Sequence, residues 1–343
     1  MSEQFLLEMQ GISKRFGGVH ALKNVNLQLR AGSIHALMGE NGAGKSTLMK
    51  ILIGMYQPDE GKVLYKGKEI RLKNISDGLK MGFSIVNQEL MQLDEMTVAE
   101  NMFMGRFPGK AFVDRKQISK DTQEIFDRLG ISGIRPNTKL KKLSLAHRQL
   151  VEIAKAISYN SEVLVMDEPT SALMDREIGI LFRILRELKE RGIAIVYISH
   201  KMEEIFQICD EITVLRDGEF IGHKSTSELN NEQLVQMMVG RELKDMYAKS
   251  DVKSGSVALE VKNLSSDAFR NVSFSVRHGE VVGFAGLMGA GRSEVMETIF
   301  GLRKKTEGTV MKDGKEIQIR NPKDAIENKI AFVTEDRKKQ VCF

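Results

Sequence analysis

Cysteine is nearly absent: two occur in 343 residues, Cys209 and Cys342, in unrelated contexts. That excludes a disulfide framework and a cysteine-built metal site. No apolar run approaches the roughly 20 residues that a helix needs to cross a bilayer. The N-terminal Met-Ser-Glu-Gln also lacks a basic-then-apolar targeting pattern. The chain is therefore expected on the cytoplasmic side, with any membrane role exerted through a partner. Prolines number 5 and glycines 30, both ordinary, and no low-complexity stretch occurs, so disorder is not expected. There is no dense Lys/Arg block. The 51 basic and 46 acidic residues leave a charge of +5, which reads as a mixed surface rather than a nucleic-acid patch. What is present is 42% hydrophobic residues, enough for the cores of one or two domains.

The chain is organised by an internal repeat. Asn24–Gln88 aligns without a gap on Asn271–Glu335, with 21 identities over 65 positions. Gly-x-x-Gly-Ala-Gly recurs at Gly39–Gly44 and Gly286–Gly291, and Gly67-Lys68-Glu69-Ile70 recurs as Gly314-Lys315-Glu316-Ile317. We read residues 1–242 as the first copy, with mainly helical spacing over about 90–158. Residues 243–256 read as a polar linker and 257–343 as the N-terminal part of a second copy. That copy stops at Phe343 with a glycine loop and its surrounding strands, and lacks everything that the first copy has beyond Gln88. A fragment and a naturally short protein both fit.

The first copy carries the chemistry. Ser33–Met38 is an apolar run after a glycine turn and reads as a buried strand; Lys45–Gly54 has helical spacing. Between them Gly39, Glu40, Asn41, Gly42, Ala43, Gly44, Lys45, Ser46 and Thr47 satisfy Gly-x-x-x-x-Gly-Lys followed by Ser or Thr, a phosphate-binding P-loop. Its glycines let backbone N–H groups turn toward phosphate oxygens, and the helix N-terminus adds partial positive charge. Lys45 would reach the outer phosphates and Ser46 would ligate Mg2+. The buried strand Glu162–Met166 delivers Asp167 and Glu168 to its end. Asp167 suits a contact to Mg2+, and Glu168 suits a general base on the attacking water. His200 follows the strand Ile193–Ile198, where it could meet a terminal phosphate. Gln88, after Phe83–Val86, offers an amide oxygen for Mg2+. Phe16 lies before the first long strand and reads either as a stacking partner for adenine or as a core side chain.

Together the P-loop, Gln88, Val163–Asp167 with Glu168, Asp167-Glu-Pro-Thr-Ser-Ala-Leu173 and His200 resemble the ABC ATPases, over the whole chain. Ile198-Ser-His-Lys-Met-Glu-Glu-Ile205, Met238-Val-Gly-Arg241 and Thr334-Glu-Asp-Arg337 narrow the resemblance to the duplicated-domain ATPases of galactose/methyl-galactoside, ribose and xylose importers. The resemblance implies a P-loop α/β fold with an inserted helical subdomain, followed here by an incomplete second copy. It implies ATP and Mg2+, a membrane permease fed by a periplasmic sugar-binding protein, and no nucleic acid. It also gives Phe16 the adenine and Gln88 the loop facing the permease. The alternative is a soluble tandem ABC ATPase of translation or nucleic-acid metabolism; the short linker and degenerate first signature favour the importer.

The departures are specific. The family's Leu-Ser-Gly-Gly-Gln signature stands here as Leu143-Ser144-Leu145-Ala146-His147, keeping Ser144 and losing both glycines. In the second loop, Gly286, Gly289 and Gly291 remain, but Arg292 replaces the lysine before Ser293, and Glu335 matches Gln88. ABC domains pair head to tail, so this signature would face the altered second loop. Self-pairing of two chains through the same surfaces is a further expectation.

Overall fold

The structure, a computed structural model, describes residues 5–87, 91–108, 113–171, 173–240, 255–287 and 289–334. It divides into two compact units, Met1–Lys244 and Asp245–Phe343.

In the first unit β1 (Leu7–Phe16) and β2 (Val19–Leu29) precede β3 (Ile34–Met38) and α1 (Lys45–Leu52). Next come β4 (Glu60–Tyr65), β5 (Lys68–Ile70), α2 (Ile75–Lys80) and β6 (Phe83–Val86). Three helices come after β6, α3 (Val98–Met102), α4 (Arg115–Leu129) and α5 (Leu145–Ile157), with no strand between them among the described residues. The unit closes with β7 (Val163–Asp167), α6 (Asp175–Glu190), β8 (Ala194–Ile198), α7 (Met202–Ile208), β9 (Glu211–Arg216), β10 (Glu219–Ser225) and α8 (Asn231–Val239). The strand order is β5-β4-β1-β2-β10-β9-β3-β8-β7-β6. Strands β9, β3, β8, β7 and β6 run parallel, and β5, β4, β1 and β2 are antiparallel. This is the P-loop α/β class expected from the sequence.

The parallel strands are mostly apolar because both faces are covered. Side chains alternate across a strand. Along β8, Ile195 and Tyr197 enter one core with Leu181 and Leu185 of α6. Ala194, Val196 and Ile198 enter the other, with Leu48 and Leu52 of α1. Burying each Val, Leu or Ile of this set stabilises the fold by about 1.5–3 kcal/mol. The helices begin where the sequence supplies caps: Asn74 accepts from the Asp77 amide before α2, and Thr97 with Glu100 forms a capping box at α3.

The second unit has β11 (Val257–Ser265), β12 (Val272–Arg277), α9 (Arg292–Phe300), β13 (Glu307–Lys312), β14 (Lys315–Ile317) and α10 (Pro322–Glu327). Its antiparallel sheet has the order β12-β11-β13-β14. The duplication persists at residue level: Asn321 caps α10 by accepting from the Asp324 amide, as Asn74 does at α2.

One expectation fails here. Residues 281–287 and 330–333, which match β3 and β6, form no strand. In the first unit β3 is held between β8 and β9, and β6 pairs with β7. The described residues of the second unit supply no such partners, and a parallel strand cannot close its hydrogen bonds alone.

Candidate nucleotide-binding site

The P-loop spans the gap between β3 and α1. A Cβ at Gly39 would lie 2.3 Å from the Leu215 carbonyl oxygen of β9, so only glycine lets the chain leave the sheet there. At Gly44, φ is +97°, and a Cβ would stand 2.7 Å from the Ala21 carbonyl oxygen. α1 starts immediately afterwards, with no acidic side chain in its first turn. Its N-terminal amides and dipole are therefore uncompensated, the condition an anion needs. Lys45 folds back over the loop, its Nζ donating to the carbonyls of Gly39 at 2.7 Å and Glu40 at 3.0 Å.

A cleft of about 190 Å³ lies over this loop, lined by residues 41–47, Ala21, Ile198, Asp167 and Glu168. Burial lowers the Lys45 pKa, opposed by the two carboxylates. Burial also raises the Asp167 pKa, reinforced by the Glu168 charge and opposed by Lys45 and Lys50. Both carboxylates come from the end of β7, as the sequence pattern predicts. Glu168 has φ +48°, an uncommon conformation for a residue with a Cβ. Its amide donates to the Ile198 carbonyl at 2.9 Å. His200 follows β8, and its Nδ1 stands 3.3 Å from a carboxylate oxygen of Glu168.

The structure thus gathers Asn41–Thr47, Asp167, Glu168 and His200 at one strand-end edge. Phe16 needs correction: it is the last residue of β1, not a residue before the first long strand. The core reading for it also fails, because it is 42% exposed, with its ring edge-on to Tyr56 at 5.2 Å. Gln88 and Glu335 lie outside the described residues. Ser144 is the N-cap of α5, accepting from the His147 amide at 3.2 Å, and Leu145 beside it is exposed. In the second unit Gly289 and Gly291 have φ +80° and +87°, close to Gly42 and Gly44 at +87° and +97°. Arg292 and Ser293 there open α9.

Sequence reasoning missed the support behind this edge. Glu204 of α7 is 5% exposed. Its carboxylate accepts from Thr170 Oγ1 at 2.7 Å, Tyr197 OH at 2.9 Å and Ser199 Oγ at 2.9 Å. Lys201 Nζ stands 3.1 Å away. The only signal in the sequence was hydroxyls flanking Glu168 and His200.

The residues fit a nucleotide with a divalent cation: bare backbone at Gly42 and Gly44, an ammonium, a hydroxyl and two carboxylates face one cleft. Fold and site together define an ATP-binding cassette of the P-loop class. The ABC transporter family model matches residues 22–171 and 269–341, and the chain belongs to that family. A Halalkalibacterium halodurans protein, provisionally named a ribose/galactose/methyl galactoside import ATP-binding protein, is 51% identical over 342 residues, or 98% of this chain and 65% of that one. The galactose/methyl galactoside import ATP-binding protein MglA of Escherichia coli is 50% identical over 341 residues, 98% of this chain and 67% of that one. The chain therefore spans about two thirds of the curated relatives it matches. Among solved structures, the ADP conformation of MJ1267, an ATP-binding cassette of an ABC transporter, superposes with a TM-score of 0.60. It is 27% identical and covers 72% of this chain and 99% of its own.

Proposed function

We propose that this chain belongs to the ATP-binding and ATP-hydrolysing subunit of an importer for a monosaccharide of the galactose/methyl-galactoside or ribose type. The carrying observation is one cleft that collects Lys45, Ser46, Asp167 and Glu168, in a chain half identical to import ATP-binding proteins. Residues 1–242 serve as the first nucleotide-binding domain and 257–343 as the start of a second, joined by 243–256. The working place is the inner face of the membrane, beneath a permease supplied by a periplasmic sugar-binding protein. Ser144 would face the second loop across a head-to-tail pair, or the first P-loop of another chain where two chains pair with each other.

The proposed chemistry is hydrolysis of the γ-phosphoryl bond. The P-loop amides and Lys45 hold the phosphates. Ser46, Asp167 and Gln88 would hold Mg2+, which supplies charge neutralisation on the phosphates. Phe16, exposed at the end of β1, stacks on the adenine. Glu168 takes the proton from water as its oxygen attacks phosphorus and the bond to the ADP oxygen breaks. His200 contacts the terminal phosphate and, at 3.3 Å, orients Glu168.

Glu168→Gln keeps size and hydrogen bonding while removing the base. In steady-state assays it should retain Mg-ATP affinity within about threefold and lose about 100-fold or more in turnover, the range of general-base removal. Unchanged turnover would show that another group activates the water.

A further inference from the structure

A buried carboxylate stands behind the site, outside every motif assigned to the nucleotide. The Glu204 side chain lies where three segments of the chain meet. Thr170, two residues beyond Glu168, donates to Oε1 at 2.7 Å. Tyr197 of β8 and Ser199, the residue before His200, donate to Oε2 at 2.9 Å each. Lys201, the residue after His200, stands 3.1 Å from Oε1, and its amide donates to Ser199 Oγ at 3.1 Å. Burial opposes ionisation of Glu204, but the hydrogen bonds outweigh it and hold the group below the usual carboxylate range. It is therefore an anion, fully used by its neighbours, in a place where an anion is costly unless hydrogen-bonded.

The requirement for such a tie comes from the backbone. Glu168 sits at φ +48°, and a residue with a Cβ stays there only when its surroundings over-determine it. The hydrogen bond from the Glu168 amide to the Ile198 carbonyl fixes one side of the turn, at 2.9 Å. Thr170 held by Glu204 fixes the other. The same carboxylate fixes Ser199, so the segments carrying Glu168 and His200 share one anchor.

We infer that Glu204 is a positioning residue that locks the Glu168 turn to the His200 segment through Thr170 and Ser199, so that the two groups act on the terminal phosphate as a fixed pair. The inference rests on the proposed roles of Glu168 and His200, but its geometric half does not. Neither Glu204 nor Thr170 lines the cleft over the P-loop, so loss of the tie separates turnover from affinity.

The test compares the purified chain with its Glu204→Gln and Thr170→Val variants. Glu204→Gln leaves one acceptor oxygen where two stood; Thr170→Val removes a single hydroxyl at nearly constant volume and guards against misfolding of the first. Mg-ATP affinity, steady-state turnover and amide hydrogen exchange are measured on each. Both variants should bind Mg-ATP within about twofold of the parent and turn over about tenfold more slowly. Exchange at the amides of Glu168 and Ser171 should rise about tenfold, with β1 and α8 unchanged. Unchanged turnover or unchanged exchange at Glu168 overturns the inference, and so does exchange that rises equally through the whole unit. Glu168→Gln is assayed alongside. If it does not lower turnover, the hydrolytic reading falls, and the positioning role is then decided by the exchange at Glu168 and Ser171 alone.

Discussion

The carbonyl of Leu215 leaves room at position 39 for a hydrogen and nothing more: an added Cβ would sit 2.3 Å from that oxygen and 3.0 Å from the Ala43 methyl. Gly39→Ala should therefore lower stability by about 1–3 kcal/mol through overpacking, read as a lower midpoint in thermal unfolding. Gly42→Ala meets nothing within 4 Å, although its φ is +87°, so its smaller loss should come from backbone strain alone. If both variants unfold like the parent, the close approach of β9 to the loop is wrong. Residues of this kind were legible in the sequence because glycine spacing, lysine and hydroxyl form a pattern that phosphate geometry imposes. The left-handed backbone of Glu168 was not legible, since nothing in Asp-Glu-Pro-Thr announces it. Nor was Phe16: Leu7, Met9 and Ile12 of β1 are buried, while Phe16 ends the strand exposed.

At the scale of elements, β3, β9 and β10 meet around a buried histidine. His35 is fully enclosed, its Nε2 2.7 Å from Thr213 Oγ1 and its Nδ1 3.5 Å from Glu211. His223 of β10 stacks on it with ring centroids 5.4 Å apart, while Arg30 pairs with Glu211. Burial first, then the positive surroundings of His223 and Arg30, push the His35 pKa down to about 3 from an ordinary 6.5. The folded state thus keeps His35 neutral, while the unfolded chain takes up a proton below pH 6.5. Stability from this site is complete above that value and is lost as pH falls toward 3. Between pH 7 and pH 5 the loss should be about 2 kcal/mol. Denaturant unfolding of the parent and of His35→Gln at both pH values checks this; equal slopes for the two proteins would remove His35 from the account. Strands β3, β6, β7 and β8 were legible because doubly covered strands read as apolar runs. The same reasoning misplaced residues 281–287. Their apolar run is equally good, but a parallel strand is made by its neighbours, and sequence shows only the run. The Glu204 tie was hidden for a related reason: Thr170 is 34 residues away, and the nearer partners Tyr197, Ser199 and Lys201 are individually ordinary.

For the whole molecule, the two units differ in how well their apolar surface is covered. In the second, Val281 is 98% exposed, Leu287 86% and Val333 79%, whereas β3, β7 and β8 of the first are enclosed. Exposed apolar backbone without pairing opens easily. Limited proteolysis of the purified 343-residue chain should cut within residues 281–334 first and leave a resistant fragment close to residues 1–240. Its hydrolysis of Mg-ATP should also be slow, since Leu145 projects where a facing domain would need bare backbone. A resistant second unit with brisk turnover would contradict both expectations. The central claim is narrower, that nucleotide binds over the first P-loop, where Lys45 shares a cleft with Asp167 and Glu168. Its most direct measurement is titration of a fluorescent ATP analogue, with Mg2+, into the parent, Lys45→Ala and Arg292→Ala. Loss of a charged phosphate contact costs about 1.5–3 kcal/mol, so Lys45→Ala should weaken binding by about 10- to 150-fold. Arg292→Ala should leave the dominant binding phase in place; equal losses in the two variants, or a greater loss in Arg292→Ala, would contradict the assignment.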